Sequence, residues 1–346
     1  MKRTTLPLGT VLTGDVRRRL AELPTASVDA VITSPPYFNL RDYGVDGQLG
    51  LETTVDEWVD NLRQVMVEVA RVLKPIGSVW LNLGDSYSRH PRFGAPPKSL
   101  LLGPERLALA LIEDGWTIRN KVIWAKTRTM PSSVRDRLSC TWEVVYLLTR
   151  SRRYHLDLDA IRVPHRSVES RPTKGSTYPP LSAAPPRWAG PLAGNNSGLA
   201  RLKAAGLTGH PLGGNPGDVW SLPSANFRGR HFATFPKGLV ERPLLASVPE
   251  RVCSRCGQPW ERDPARTVGH LAVRGELHPT CRCWKGWRPG VVLDPFFGAG
   301  TVGLVAEKHG RDWVGIELNP DFVALANERI ATAREEVMTT NERRSA

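Results

Sequence analysis

Residues 291–318 read VVLDPFFGAGTVGLVAEKHGRDWVGIEL, an apolar run, a turn with two glycines, a helix-length segment and a second apolar run. The first run ends at Asp294, Gly298 and Gly300 permit a tight turn, a helix starts near Thr301, and the second run ends at Glu317. Two strands joined by one helix in so short a space run parallel, and parallel strands need helices over them. The same alternation extends outward. VDAVIT (28–33) reads as a buried strand. Trp58, Leu62, Val65, Val69 and Leu73 follow at helical spacing, and Pro75-Ile76-Gly77 closes that helix before the strand SVWLNL. ERLALALIEDGWTIRNKVIWAK repeats helix and strand, and WEVVYLLTR adds one more strand. The expected fold class is α/β, a mostly parallel sheet covered on both faces.

Composition bounds the rest. With 346 residues, 40% apolar and 23% charged, the chain can bury one large core or two unequal ones. A net charge of +13 favours a polyanionic partner, because Lys and Arg release counterions from phosphates. No 18-residue apolar run is present, so no membrane span is expected. The N-terminus lacks an apolar signal segment, and five cysteines fit a reducing compartment; the expected location is the cytoplasm.

The expected organisation is a first half-domain over 1–159, an insert over 160–217, a return segment over 218–251, a cysteine-rich excursion over 252–288, a second half-domain over 289–334 and a polar tail over 335–346. The insert is rich in Pro, Gly, Ser and Arg and carries Trp188. It reads either as disordered or as a region that folds on a polyanion.

Asp294 and Glu317 lie 23 residues apart at the ends of consecutive strands. An acid in the second position can accept both hydroxyls of a ribose, and glycines with a helix start let a ligand approach the backbone. The turn is not G-x-G-x-x-G, and a carboxylate at Asp294 would repel a pyrophosphate but attract an ammonium group. A cofactor bearing both an ammonium and a ribose points to S-adenosylmethionine.

The other unusual stretch is VDAVITSPPYFNLRDYG (28–44), where a strand runs directly into Ser34-Pro35-Pro36-Tyr37. Two prolines cannot continue a sheet ladder, so this end serves another purpose. TSPPYF, DPFFGAGT and HFATFPKGLVERPL together resemble the DNA amino-methyltransferases, in the group whose catalytic motif precedes the cofactor motif; residues 115–157 also resemble that group. The resemblance covers nearly the whole chain apart from the insert and the cysteine excursion, and it implies a Rossmann-like S-adenosylmethionine-dependent fold acting on double-stranded DNA at a short specific sequence. The insert, helped by the region after GDSYSRHPRFGAPPKS, is the expected target-recognition region, where Arg and Asn side chains reach base edges. The resemblance implies that Ser34 Oγ and the Pro35 carbonyl accept from an exocyclic amine, that Pro36 fixes the turn, and that Tyr37 stacks on an extruded base. A Ser-Pro-Pro motif leans to cytosine N4; adenine N6 remains the alternative.

Asp85, in WLNLGDSY, either accepts from the amine, orients Ser34 or makes an ordinary turn. Asp15, in LTGD, resembles an acid that contacts the cofactor but also suits a helix cap. Phe235 and Pro236 are expected to wall the cofactor pocket with Phe296, Gly298, Gly300 and Thr301. Asn39 and Arg41 follow the motif closely enough to meet a base or phosphate.

Cys253 and Cys256 have the C-x2-C spacing of a metal clasp, and Cys281 and Cys283 form a second pair; His278 or His270 is an alternative fourth ligand. A structural Zn2+ is expected, with Arg251, Arg255, Arg282, Lys285, Arg288, Trp284 and Trp287 able to carry it against a DNA backbone. Cys140 is expected in the core. RNA as substrate, or an inactive binder, are rival readings. No appended RNA-binding module is recognisable, and intact 34–37 and 294–301 segments argue for an enzyme. A restriction endonuclease is the expected genetic partner.

Overall fold

A computed structural model describes residues 5–129, 132–164, 210–225, 235–268 and 271–345. Most of the expected insert, including Trp188, lies outside the described residues, as does His270. The chain forms two compact units, one of residues 1–157, 217–261 and 279–346, the other of 158–216 and 262–278.

In chain order the elements are β1 (Thr10–Thr13), α1 (Val16–Glu22), β2 (Val28–Thr33), α2 (Val55–Val72), β3 (Leu73–Leu83), α3 (Gly103–Glu113), β4 (Thr117–Lys126), β5 (Trp142–Thr149), β6 (Val219–Leu222) and α4 (Lys237–Ser247). Six strands of two or three residues follow: β7 (Val252–Cys253), β8 (Trp260–Arg262), β9 (Arg266–Val268), β10 (Leu271–Val273), β11 (Leu277–Pro279) and β12 (Trp287–Arg288). The chain closes with β13 (Val291–Asp294), α5 (Thr301–Lys308), β14 (Asp312–Glu317) and α6 (Pro320–Ser345).

The first unit is built on an eight-stranded sheet of order β1-β14-β13-β2-β3-β5-β4-β6. Strand β5 pairs antiparallel with both β3 and β4, and the other neighbours pair parallel. Every residue of β2 and of β13 is buried, as a strand covered on both faces requires. Alternation then divides the core. Val31, Val79 and Leu293 pack with α1, α2 and α3 on one face, while Ile32, Trp80 and Val292 pack with α4, α5 and α6 on the other. Helix α2 shows why its sequence folds: Thr54 Oγ1 accepts from the Glu57 N–H at the cap, and Trp58, Leu62, Val65 and Val69 form its buried stripe.

Two boundaries differ from the expectation. Helix α2 stops at Val72, and Leu73 and Pro75-Ile76-Gly77 belong to β3. The ring of Pro75 disfavours helical backbone at Lys74, so the chain turns to strand before the proline. A register shift between Val28 and Ala30 takes up the irregular start. Helix α6 continues to Ser345, past residue 334 where the polar tail is expected to begin.

At the N-terminal ends of the parallel strands, Lys74 Nζ donates to Asp29 Oδ1 at 2.6 Å, and the Val291 N–H donates to Asp29 Oδ2 at 2.9 Å. Both side chains are buried. In the second unit, Arg162 donates to Asp159 at 2.6 Å, Val163 and Gly214 form a bridge, and β9 and β10 pair as a hairpin. Among the described residues, no helix is long and apolar enough to cross a membrane.

Candidate active site

The C-terminal ends of β1, β2, β13 and β14 open onto one pocket. Asp15, Ser34, Pro36, Phe235, Phe296, Gly298, Thr301 and Glu317 are among the residues that line it. Parallel strands bring this about: they place all their C-terminal loops at one edge of the sheet, where ligands of open α/β folds bind.

Glu317 ends β14 with each carboxylate oxygen held by backbone. Gly298 N–H donates to Oε2 at 2.7 Å and Asn319 N–H donates to Oε1 at 2.8 Å. Burial raises the Glu317 carboxyl above its ordinary value against the pull of those N–H groups. The turn before α5 needs its glycines, since Gly298 and Gly300 have φ of +50° and +77°. Phe297 turns inward and stacks on Trp313 with centroids 5.0 Å apart, and Phe296 and Phe297 both line the pocket. Gly315 makes room, because a Cβ there would lie 2.5 Å from Phe297 Cγ.

Asp294 is 1% exposed and does not line the pocket. Its Oδ1 accepts from Thr33 Oγ1 at 2.6 Å and from the Phe296 N–H at 3.0 Å, and burial pushes the carboxyl up to about 7. Asp15 caps α1 by accepting from the Arg18 N–H, and it also lines the pocket. Pro236 stands at the start of α4, where its carbonyl accepts from the Leu239 N–H.

On the catalytic side, Trp58 Nε1 donates to the Pro36 carbonyl at 2.9 Å, while no described residue donates to the Pro35 carbonyl. Ser34 Oγ lies 3.1 Å from Tyr37 Oη. Tyr37 Oη in turn donates to Glu143 Oε2 at 2.6 Å, and burial, then the Glu143 charge, hold the phenol well above its ordinary value. Asn39 adopts φ of +48° and Arg41 is exposed in the loop beyond.

Asp85 sits elsewhere than Ser34. Its oxygens accept from the N–H groups of Ser86, Leu102 and Gly103, so it ties the end of β3 to the start of α3. The side chains that do gather behind Ser34 are Asn82, Lys126 and Glu143, from β3, β4 and β5. No local motif marks them, and only the strand order brings them together.

The four sulfurs of Cys253, Cys256, Cys281 and Cys283 lie within 4.8 Å of one another. Backbone N–H groups of Cys256 and Arg255 lower the Cys253 thiol to about 6, which favours thiolate. His278 pairs with Asp263 at 2.9 Å. Cys253 lies on β7, which pairs with β12 just before β13 begins, so the cluster stands at the N-terminal edge of the sheet and the pocket at the C-terminal edge. Trp284 is 85% exposed, and the Arg251 guanidinium lies over Trp287. Cys140 is exposed rather than in the core. It lies in the loop before β5, near Tyr87 Oη, where Arg137 stacks on the Tyr87 ring.

A profile of the N6/N4 methyltransferase family, DNA methylase, matches residues 28–328. The chain belongs to this family. Among relatives of this DNA methylase, the Type II methyltransferase M.Cfr9I of Citrobacter freundii is 32% identical over 93% of the chain and 87% of its own length. The Type II methyltransferase M.SmaI of Serratia marcescens is 30% identical over 94% and 91%. Among solved structures, the PvuII DNA methyltransferase (cytosine-N4-specific) superposes with a TM-score of 0.56 at 18% identity, over 97% of this chain and 94% of that one. A putative DNA modification methylase of Thermus thermophilus, complexed with S-adenosyl-L-methionine, has a TM-score of 0.51 at 23% identity over 94% and 93%. The DNA methylase thus has the S-adenosylmethionine-dependent methyltransferase fold that its motifs imply.

Proposed function

We propose that the chain transfers the methyl group of S-adenosylmethionine to the exocyclic N4 of a cytosine turned out of duplex DNA at a short specific sequence. One observation carries this: Ser34 and Glu317, far apart in sequence, line the same pocket. The residues present fit the cofactor. Glu317 would hold the ribose hydroxyls, Phe296 and Phe322 offer apolar walls, and Asp15 reaches the pocket with a carboxylate for the ammonium. Asp294 supports the turn from behind. When bound, the cofactor supplies an electrophilic methyl, so the protein's part is positioning.

Ser34 Oγ and the Pro35 carbonyl accept hydrogen bonds from the target amine, drawing its hydrogens out of the base plane and freeing the nitrogen lone pair. Tyr37 stacks on the extruded base and offsets part of the few kcal/mol that extrusion costs. The serine of the motif favours cytosine, in line with the specificity named for the PvuII enzyme; adenine N6 is the second reading. The Type II relatives make a restriction endonuclease of matching specificity the expected genetic partner.

The four-cysteine cluster would hold one structural Zn2+. Four thiolates close a tetrahedral site and leave no position for substrate. Its place on the edge away from the pocket supports a part in stability rather than in methyl transfer.

The test is to incubate the protein with unmethylated plasmid DNA and S-adenosylmethionine, digest to nucleosides and quantify methylated bases by mass spectrometry. N4-methylcytosine is expected. N6-methyladenine would overturn the base assignment, and no methylated base would overturn the activity.

A further inference from the structure

Behind Ser34, three side chains outside the motif form a polar cluster whose hydrogen bonds have one permitted direction. Lys126 Nζ donates to Glu143 Oε1 at 2.5 Å, which leaves Oε2 facing Tyr37. A carboxylate only accepts. Tyr37 Oη therefore gives its single proton to Oε2, at 2.6 Å, and can only accept from Ser34 Oγ, at 3.1 Å. Asn82 Nδ2 lies 2.6 Å from Tyr37 Oη and 2.8 Å from Glu143 Oε2, so its amide hydrogens reinforce this direction. The chain runs from Ser34 through Tyr37 to Glu143.

The consequence falls on Ser34. Its one proton is directed inward to Tyr37, and Asn82 Nδ2 donates to Oγ at 3.3 Å, so the lone pair left over is what it can present to the pocket that it lines. A serine hydroxyl without such a constraint rotates to suit its partner and can offer a proton as readily as a lone pair. Facing an amine, an offered proton would oppose the polarity that methyl transfer needs.

We infer that the Lys126–Glu143 pair, acting through Tyr37 and braced by Asn82, is a positioning device that makes Ser34 an obligate hydrogen-bond acceptor for the target amino group. The inference deepens the amino-methyltransferase reading and rests on it.

Glu143→Gln keeps the shape of the side chain but reverses the polarity. The amide oxygen stays with Lys126, and the amide nitrogen then faces Tyr37 and sends its hydroxyl proton back toward Ser34. Adding Asn82→Asp restores an acceptor at the position 2.6 Å from Tyr37 Oη and restores the direction. Single-turnover rates on unmethylated plasmid, S-adenosylmethionine isotherms and thermal melts are measured for wild type, Glu143→Gln and the double variant, at a temperature below all three midpoints. The expected rate loss in Glu143→Gln is roughly a hundredfold, with cofactor affinity unchanged, and the double variant is expected to regain about tenfold or more. A Glu143→Gln rate within about threefold of wild type overturns the inference, as does a folded double variant no faster than Glu143→Gln. If Glu143→Gln does not fold, the double variant decides: a rate within about tenfold of wild type supports the device, and a folded protein slower by more than about a hundredfold overturns it. A wild-type protein that methylates no DNA would instead remove the reading on which the inference rests.

Discussion

Thr33 Oγ1 donates a 2.6 Å hydrogen bond to Asp294 Oδ1, joining the last residue of β2 to the last residue of β13 across 261 positions of sequence. The bond sets the Ser34 turn against the glycine turn. Because Asp294 is buried, its carboxyl holds a proton up to about 7, well above the ordinary value of 3.8. The folded state therefore binds more protons than the unfolded state between those values, and stability falls as pH rises through that window. Asp294→Asn removes this dependence. The variant is expected to gain melting temperature relative to wild type between pH 5 and 8, by an amount that grows with pH and corresponds to at most ~4 kcal/mol. Melts at four pH values check it; a difference independent of pH would refute the assignment.

Tyr37→Ala and Glu317→Ala separate the two halves of the site. Losing Tyr37 removes both the base stack and the acceptor for the Ser34 proton, and is expected to slow methyl transfer by about 100-fold or more while cofactor affinity stays near wild type. Losing Glu317 is expected to weaken cofactor binding by roughly 10- to 100-fold, the worth of hydrogen bonds to a charged group. Calorimetric isotherms with S-adenosylmethionine and single-turnover rates test the division, and the opposite ranking would sink it.

Protein purified without chelator is expected to contain about one equivalent of zinc, and Cys253→Ser is expected to lose it with a fall in melting temperature. Less than about half an equivalent by elemental analysis would count against the site. Methyl transfer below the new midpoint should persist, since the cluster stands on the edge of the sheet away from the pocket.

Asp29→Ala leaves the buried Lys74 ammonium unpaired and the Val291 N–H without its partner. The expected cost is about 3–5 kcal/mol, read as a shift in the urea midpoint without a change in slope. A loss below about 1 kcal/mol would show that water reaches Lys74 once the carboxylate is gone.

Gly315→Ala tests the packing of the glycine turn. A Cβ at this position would lie 2.5 Å from Phe297 Cγ, so Phe297 must leave its stack on Trp313 or the strand must shift. A loss of about 1–3 kcal/mol in urea unfolding is expected, together with weaker cofactor binding because Phe297 adjoins Gly298.

The sequence by itself determined the alternation of helix and strand, the two strand-end motifs and the cysteine spacing. Each of these is written in a short stretch: apolar periodicity follows from the pitch of an element, and a turn states its glycines and prolines locally. It placed Ser34, Phe296 and Glu317 at strand ends because a strand's end is a local event. Tertiary structure decided what lies behind them. Asn82, Lys126 and Glu143 each look like an ordinary polar residue in its own strand, and they meet because β3, β5 and β4 are neighbours in the sheet. The same cause settles Asp85, which turns to cap α3, and Cys140, which lies in an exposed loop. It also sets the cysteine cluster and the pocket on opposite edges of one sheet, since strands that run parallel send their starts to one edge and their ends to the other.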